Sequence, residues 1–271
     1  MSFQDKLQQI DQLQASIKEH GTIPVATLNK INYKLRLEWN FTSNSMEGNS
    51  LTKRETRTVM VGVVSVNDKP LKDIIEMKNH DQVISSIMKM GKGELNVSES
   101  RIKEIHKGIM YEEDPEKLKH VGQWKNINNY MFNINGERYD FVPHNEVSER
   151  MHQLMNWTNS EKEKIQRNQK DASHPVLLAL KFHIEYLTIH PFYDGNGRTA
   201  RILSNLILIS YGFPPFYINE NEKQNYYSYL TDIQSYGGEP DLFYEFMANL
   251  VLRSLQITLD AIEGNDTQQE I

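Results

Sequence analysis

Two strongly apolar segments on either side of a short loop constrain this chain more than any other feature. Residues 175–189 carry apolar side chains at helical spacing, and residues 202–209 do so again. Pro191 ends the first helix, and Gly212, with two prolines behind it, ends the second. The segment between them, residues 190–201, is therefore predicted to be a helix end, a tight loop and a helix start. We call this segment the central loop.

The central loop, HPFYDGNGRTAR, has the composition of an anion-binding site. Gly195 and Gly197 permit positive φ angles and let a ligand approach the backbone. Their N–H groups stand at a helix N-terminus, where the helix dipole favours an anion. Arg198 and Arg201 share one face of the first turns, and two cations there are unfavourable unless something negative is bound. A bound polyphosphate would resolve this conflict.

Two further side chains of the central loop supply chemistry. Asp194 offers a carboxylate beside the phosphates, and Mg²⁺ uses such an oxygen to bridge protein and nucleotide. His190 has an ordinary pKa of about 6.5 and can accept a proton near neutral pH. Alone, a histidine at a helix end or a G-N-G turn is usually structural. Together in one loop, these groups indicate nucleotide-dependent group transfer.

The central loop resembles the signature of the Fic family, H-x-F-x-[D/E]-G-N-G-R-x-x-R, at every specified position. Enzymes of that family are typically protein adenylyltransferases, which move AMP from ATP to a Ser, Thr or Tyr hydroxyl of a target protein. The resemblance implies an all-α Fic fold, with ATP as substrate and Mg²⁺ as its metal ion.

The resemblance also implies a role for each residue of the loop. His190 would deprotonate the target hydroxyl, Phe192 would anchor the loop in the core, and Asp194 would hold Mg²⁺. The residues implied to bind ATP through its phosphates are Asp194, Gly195, Asn196, Gly197, Arg198, Thr199, Ala200 and Arg201.

A polar stretch upstream, residues 41–52, is open to two interpretations. Its Ser, Asn and Gly residues are typical of a connector between helices. Ser43 and Glu47, however, resemble the inhibitory motif [S/T]-x-x-x-E-[G/N] that precedes the core in a large subclass of Fic proteins. In that subclass the glutamate pairs with the second signature arginine, here Arg201, and keeps ATP from its productive geometry. A bidentate carboxylate–arginine pair would compete directly with phosphate, and the inhibitory interpretation is favoured.

Residues 127–142, the flap, break the helical pattern. Alternating apolar residues flank Asn135 and Gly136, which is a strong signal for a β-hairpin. In Fic proteins a hairpin at this point aligns the target by main-chain pairing. The resemblance implies that role for Asn133, Ile134 and Asn135.

Two positions near the flap depart from the common family pattern. Lys125 stands where an arginine is frequent, and Pro143-His144 stands where two prolines are frequent. These departures weaken any inference about the target.

Tyr226 and Tyr227 lie on a predicted helix and are also open to two interpretations. Aromatic residues at helical spacing usually pack in the core, here with Leu230. The resemblance instead implies an adenine pocket lined by both tyrosines and by Gln234.

Apolar periodicity predicts further helices and a division of the chain. The helices are expected at residues 1–20, with a core-facing stripe, and at 26–37, 52–64, 70–90, 98–109, 145–157, 222–234 and 241–262. The charged stretch 158–173 is predicted to be a mobile loop, and His80 and His106 to be ordinary surface or interfacial residues. The expected division is an N-terminal helical segment with the inhibitory motif (1–65), a Fic domain (66–262) and a disordered tail (263–271).

Composition and charge narrow the choice of partners and location. The net charge of −6 implies no basic surface, so nucleic acid is not an expected partner. The chain has no cysteine, which excludes disulfides, thiolate catalysis and cysteine-based zinc sites. No apolar leader and no run of about 18 apolar residues is present, so a cytoplasmic location without membrane contact is expected.

The favoured function is a protein adenylyltransferase that is autoinhibited by Glu47 and acts on a protein with a modifiable hydroxyl. The alternatives are a deadenylylase that removes AMP and a non-catalytic, nucleotide-sensing interaction module. His190 argues against the module, because a sensor needs no base. The unaltered G-N-G-R argues against transfer of phosphate or phosphocholine. Self-modification and homodimer formation are further expectations from the resemblance.

Overall fold

The computed structural model describes residues 2–62, 68–89 and 97–265, and most of them are helical. The helices, in chain order, are α1 Phe3–Glu19, α2 Val25–Ser45, α3 Lys53–Met60, α4 Leu71–Met88, α5 Glu99–Ile109, α6 Pro115–Leu118, α7 Val147–Gln166, α8 Pro175–Ile189, α9 Asn196–Ser210, α10 Lys223–Tyr236 and α11 Asp241–Glu263. Strands β1 Tyr130–Phe132 and β2 Arg138–Asp140 pair antiparallel. The predicted all-α class with a small hairpin in the flap is confirmed.

Helices α8 and α9 hold the central loop between them. Pro175 occupies the first turn of α8, and the preceding His174 side chain accepts a backbone N–H (3.1 Å), which caps the helix. The helix ends at Ile189, and His190 follows in the left-handed region with φ 51°. Helix α9 begins directly after Gly195, which has a φ of 74°. Glycine adopts this left-handed conformation at little energetic cost. The predicted helix, loop and helix are confirmed.

One hydrophobic core collects side chains from most helices. Ile10 of α1, Trp39 of α2, Ile84 of α4 and Leu255 of α11 all belong to it, together with the buried faces of α8 and α9. Helix α1 packs along α11, so the first and last helices lie side by side. The apolar stripe of residues 1–20 therefore faces the core, as expected.

Helix α2 is longer than predicted and includes part of the polar stretch. It was expected over 26–37, yet it continues to Ser45, so residues 41–45 are helix and the connector interpretation is wrong there. The side chains of Thr42 and Asn44 each donate to a backbone carbonyl one turn earlier, at 2.9 and 2.8 Å. Buried polar side chains that bond back in this way keep the helix intact instead of competing with it.

Helix α7 is also longer than predicted, because it includes the first half of the charged stretch. The mobile loop expected at 158–173 is helical through Gln166, so that prediction is wrong over 158–166. Glu and Lys are good helix formers, and Glu161 pairs with Lys164 one turn later at 2.9 Å. The same glutamate accepts the N–H of Ser173 (3.1 Å), which fastens the following turn.

The flap hairpin has a tight turn that is tied to helix α10. The side-chain oxygen of Asn133 accepts the N–H groups of Asn135 (2.9 Å) and Glu137 (3.0 Å). Gly136 completes the turn with φ 76°. The amide of Asn135 donates to the hydroxyl of Tyr236 (2.8 Å), at the end of α10. The register pairs Tyr130 with Asp140, Met131 with Tyr139 and Phe132 with Arg138.

Some predicted segments extend beyond the described residues. Helix α3 ends at Met60, before the predicted end at residue 64, which lies outside them. The same holds for residue 90 and for the 266–271 part of the predicted tail. Among the helices of the described ranges, none has the length and apolar character that a bilayer span requires.

Candidate active site

The central loop is fastened to the core by an aromatic ring and an amide. Phe192 is fully buried and stacks on the ring of His106, with centroids 3.7 Å apart. Asn196 accepts the N–H of Phe192 through Oδ1 (2.9 Å) and donates to the Phe192 carbonyl through Nδ2 (2.8 Å). These contacts order the loop without any ligand, which lowers the entropy cost of binding one.

Two histidines expected at the surface are buried beside the site, so that prediction is wrong. His106 donates from Nε2 to the carbonyl of Asp194 (2.8 Å) and accepts the N–H of Gly122 at Nδ1 (3.0 Å). Burial lowers the pKa of His106 to about 4, so its ring is neutral. His80 is also fully buried, with Nδ1 at 2.8 Å from Oδ1 of Asn40.

His190 projects from the end of α8 under the flap. Phe141 of the flap stacks on its ring, with centroids 3.7 Å apart. Nδ1 of His190 lies 3.0 Å from Nδ2 of Asn129 and 3.1 Å from Nδ2 of Asn196. Burial, followed by the charge of Lys125, lowers the pKa of His190 to about 3. The ring is therefore neutral at physiological pH.

Arg201 of α9 holds the C-terminal end of α2 over the central loop. It donates from Nε to Oγ of Ser43 (2.9 Å), and from Nη2 to the Ser43 carbonyl (3.0 Å) and Oε1 of Glu47 (2.6 Å). The Arg201 side chain is only 3% exposed, whereas that of Glu47 is 28% exposed. Oε1 of Glu47 also lies so close to Gly197 that a Cβ at position 197 would displace the carboxylate.

Arg198 points away from Arg201. Its Nη1 donates to Oε2 of Glu76 on α4 (2.7 Å), and its Nη2 contacts Sδ of Met110 (3.3 Å). The Arg198 and Glu76 side chains are 4% and 8% exposed. Arg198 and Arg201 therefore bind different carboxylates in this conformation, and Glu76 competes with phosphate for Arg198.

Three more of the predicted phosphate-binding residues differ in their exposure. Thr199 and Ala200 are fully buried within α9, and Oγ1 of Thr199 donates to the carbonyl of Gly195 (2.9 Å). Asp194 is exposed, and its Oδ1 accepts the N–H of Gly195 (2.6 Å). Across the described ranges, no three His, Asp or Glu side chains are grouped to hold a metal. Asp194 thus offers a carboxylate oxygen, which fits a Mg²⁺ ion that takes its other ligands from phosphates and water.

A cavity of about 380 Å³ lies between the central loop, the flap, α10 and the end of α2. This volume falls in the range of ligand pockets, roughly 300–1,000 Å³. Asn135 does not line the cavity, and its amide donates a hydrogen bond to the Tyr236 hydroxyl instead. The predicted site residues that do line it are Glu47, Asn133, Ile134, His190, Gly197, Arg201, Tyr226, Tyr227 and Gln234.

The two tyrosines of α10 agree in part with each interpretation, because they pack in the core and also line the cavity. Tyr226 is buried, and its hydroxyl lies 2.7 Å from Nε2 of His183, whose Nδ1 lies 2.9 Å from Oγ of Ser204. The Ser204 hydroxyl donates to the carbonyl of Ala200 (2.8 Å), so it accepts from His183, and Tyr226 in turn donates to His183. Tyr226 is thus a core residue with one face on the cavity. Tyr227 is half-buried, and burial raises its pKa to about 12.

The family comparisons agree with this geometry. The sequence model of the Fic/DOC family matches residues 96–208. Among solved structures, a Fic domain containing signaling protein from Bacteroides thetaiotaomicron has a TM-score of 0.85 and 29% identity, covering 97% of this chain and 100% of that one. Residues 96–208 of the chain form a Fic domain.

The names of several relatives state an enzymatic activity. The protein adenylyltransferase Fic of Nematostella vectensis is 29% identical over 229 residues, which are 83% of this chain and 48% of the relative. The protein of the same name from Drosophila grimshawi is 28% identical over 229 residues, or 84% of this chain and 44% of the relative. The chain therefore spans about half the length of these relatives. Fic-1 from C. elegans shares the fold, with a TM-score of 0.78 at 21% identity over 96% of this chain and 74% of that one.

Several residues that touch the central loop were not predicted as site residues. Glu76 pairs with Arg198, Asn129 contacts His190, and His106 holds the Asp194 carbonyl. Each comes from a distant part of the sequence, so no short spacing marks it. Only Glu76 gave a signal, because a carboxylate among the buried positions of an amphipathic helix indicates a buried partner.

Proposed function

We propose that this Fic protein is a protein adenylyltransferase, which transfers AMP from ATP to a hydroxyl of a target protein. The observation that carries the proposal is one cavity in which His190, Arg201 and the N-terminal end of α9 meet beneath the flap. The names of the relatives from Nematostella and Drosophila support the same reaction class.

Residues that line the cavity, together with Asp194 from outside its lining, divide the reaction between them. His190 accepts the proton of the target hydroxyl, whose oxygen bonds to the α-phosphorus of ATP while the bond to pyrophosphate breaks. The N–H groups at the start of α9 and the guanidinium of Arg201 stabilise the charge on the phosphates. Asp194 would hold Mg²⁺, which supplies neutralisation of phosphate charge when bound. Tyr226, Tyr227 and Gln234 would receive the adenine ring.

The inferred role of Glu47 is to obstruct the phosphate site. Its carboxylate accepts a hydrogen bond from Nη2 of Arg201 and occupies the space next to Gly197, where an outer phosphate would lie. Both groups are anionic acceptors for the same guanidinium, so they compete directly. The resting protein is therefore inhibited, and displacement of Glu47 activates it.

The flap is the proposed docking strand for the target. The side chains of Tyr130, Phe132 and Ile134 are exposed, and a two-stranded hairpin leaves main-chain groups free for an added strand. The target is thus a protein segment in extended conformation that presents a hydroxyl to His190. Self-modification, homodimer formation and a cytoplasmic location rest on the sequence and its resemblance alone.

The test follows label from ATP into protein, with ATP labelled at the α- or the γ-phosphate. Wild type, Glu47→Gly and Glu47→Gly/His190→Ala are compared in a lysate, and Glu239→Gly, at an exposed loop position after α10, is the matched control. We expect α-label in protein to rise strongly in Glu47→Gly, to vanish with His190→Ala and to stay at the wild-type level in Glu239→Gly. Transfer of γ-label instead would contradict the proposal.

The alternatives give different outcomes. A deadenylylase would release AMP from modified protein and transfer no α-label. A nucleotide-sensing module would bind ATP without moving either label.

A further inference from the structure

One ring nitrogen of His190 faces two side-chain amides. Nδ1 lies 3.0 Å from the amide of Asn129 and 3.1 Å from that of Asn196. An amide NH₂ group can only donate, and an amide oxygen can only accept. The protonation of Nδ1 therefore follows from which atom of each amide is turned toward it, and the other partners of the amides decide this.

The backbone of Phe192 orients the Asn196 amide. The Phe192 N–H lies 2.9 Å from Oδ1, and its carbonyl lies 2.8 Å from Nδ2. The opposite orientation would set donor against donor and acceptor against acceptor. Asn196 therefore presents an N–H to His190.

Lys125 orients the Asn129 amide. Nζ of Lys125, which only donates when charged, lies 2.6 Å from Oδ1 of Asn129, and the Phe192 carbonyl lies 3.1 Å from Nδ2. Lys125 is itself 2% exposed, and its backbone N–H donates to the carbonyl of Pro191 (2.8 Å), so it is fixed beside the loop. Burial lowers the pKa of Lys125 to about 8, which leaves it mainly cationic at pH 7. Asn129 therefore also presents an N–H to His190.

Two donors at Nδ1 mean that Nδ1 is an acceptor, and the neutral ring carries its proton on Nε2. A base that acts through Nε2 needs the lone pair there. When His190 takes up a proton, both of its ring nitrogens carry hydrogen. The Nδ1–H of this imidazolium would then face two NH₂ groups, which cannot accept it. The charged groups around the ring are Lys125 and, lining the same cavity, Arg201 and Glu47.

We propose that Lys125 and Asn129 are positioning residues that hold His190 in the Nε2–H tautomer, and that His190 becomes a base only when the amides of Asn129 and Asn196 release Nδ1. In the competent form the ring proton has moved through water from Nε2 to Nδ1. The target proton then goes to Nε2. The catalytic consequence rests on the proposed adenylyltransferase function, whereas the tautomer itself does not.

The tautomer is measured directly by two-bond ¹H–¹⁵N correlation spectra of the full chain with ¹⁵N-labelled histidine. The His190 signals are assigned by their loss in His190→Gln. We expect a neutral Nε2–H ring in wild type. In Asn129→Asp a carboxylate replaces the donor, so we expect Nδ1 to be protonated and the pKa of His190 to rise. Asn159→Asp is the matched control, because it makes the same change at an exposed position of α7.

The rate consequence is measured in the Glu47→Gly background at pH 7. We expect Asn129→Asp to raise AMP transfer roughly 3- to 10-fold, because a base is more effective when its pKa lies nearer the working pH. Asn159→Asp should leave both the His190 signals and the rate unchanged. Asn129→Ala, which removes one of the two donors, should give a mixture of tautomers and provides the test if Asn129→Asp does not fold.

Different results overturn different parts of the inference. A wild-type His190 with Nδ1–H would overturn the tautomer assignment. A protonated Nδ1 in Asn129→Asp without faster transfer would overturn the link to catalysis. If Glu47→Gly transfers no AMP at all, the proposed function fails, and the spectra still decide the tautomer.

Discussion

The ion pair between Glu76 and Arg198 links helix α4 to the central loop. Removing one partner of a buried pair leaves an uncompensated charge, at a cost of about 3–5 kcal/mol. We expect Glu76→Ala to lower the free energy of unfolding by this amount in urea denaturation. Glu116→Ala is the matched control, because Glu116 pairs with Lys119 at the surface with its side chain 80% exposed; such pairs contribute about 0–1 kcal/mol. Equal losses in the two variants would contradict the buried-charge argument.

Buried neutral histidines make stability depend on pH. Burial lowers the pKa of His183 to about 3 from its ordinary value of 6.5. The unfolded chain therefore binds the proton first as the pH falls, so this stabilisation is complete above about 6.5 and is lost between 6.5 and about 3. We expect roughly 2 kcal/mol of the free energy of unfolding to be lost from this histidine between pH 7.5 and 5. Urea titrations across this range measure it.

The control for this pH dependence is a histidine at the surface. His183→Gln should flatten the curve of unfolding free energy against pH, whereas His152→Gln, at an exposed position of α7, should leave its slope unchanged. Equal slopes for wild type and His183→Gln would mean that His183 is protonated to the same extent in the folded and unfolded chains.

Residues of the site were predictable where they are contiguous in sequence. His190 and Arg201 stand in one loop whose residue types share one chemistry, and their spacing is fixed by the helix that follows. Glu76 and Asn129 were missed because they reach the loop from 122 and 61 positions away. For the same reason the sequence does not identify the buried partner of Arg198, which is set by tertiary packing alone.

At the level of elements, the flap is fastened to α10 by its turn. Asn135 donates to the Tyr236 hydroxyl (2.8 Å), which donates in turn to Glu137, and Asn133 donates to Oγ of Ser235 (3.3 Å). We expect Tyr236→Phe to speed amide hydrogen exchange at residues 133–137 roughly 3- to 10-fold, because a hydrogen bond contributes about 1 kcal/mol. Mass spectrometry of deuterated peptides measures this.

The control for the flap uses another tyrosine of the same helix. Tyr229 packs its ring on Phe246 of α11, with centroids 5.6 Å apart. Tyr229→Phe keeps that ring contact and should leave exchange in the flap unchanged. If both variants speed exchange equally, the effect belongs to α10 as a whole and the turn contacts are not what holds the flap.

Elements were predicted well where local signals mark both ends. Helix α8 starts at a proline and α9 ends near Gly212, and both signals act within one turn of the chain. Residues 41–45 and 158–166 were missed because their polar side chains look like loop in isolation. Thr42 and Thr158 are buried, and each bonds back to a carbonyl of its own helix. Burial of polar groups depends on neighbours that no local pattern displays.

For the whole molecule, the expected division at residue 65 does not coincide with a division of the core. Ile10 of α1 and Trp39 of α2 belong to the same apolar cluster as Leu206 of α9 and Leu255 of α11. Helix α1 also packs along α11, from opposite ends of the chain. A core shared in this way cannot lose its N-terminal helices without exposing apolar surface elsewhere.

We therefore expect the protein to unfold in one cooperative transition. Ile10 is fully buried between α1 and the core, so Ile10→Ala should cost about 2–5 kcal/mol. Because the core is shared, this substitution should lower the midpoint of the whole transition, by roughly 5–10 °C in calorimetry. Gln8→Ala, at an exposed position of the same helix, should leave the midpoint unchanged. If Ile10→Ala instead splits off a small early transition, residues 1–65 form a unit that unfolds before the Fic domain, and displacement of Glu47 can proceed by local unfolding.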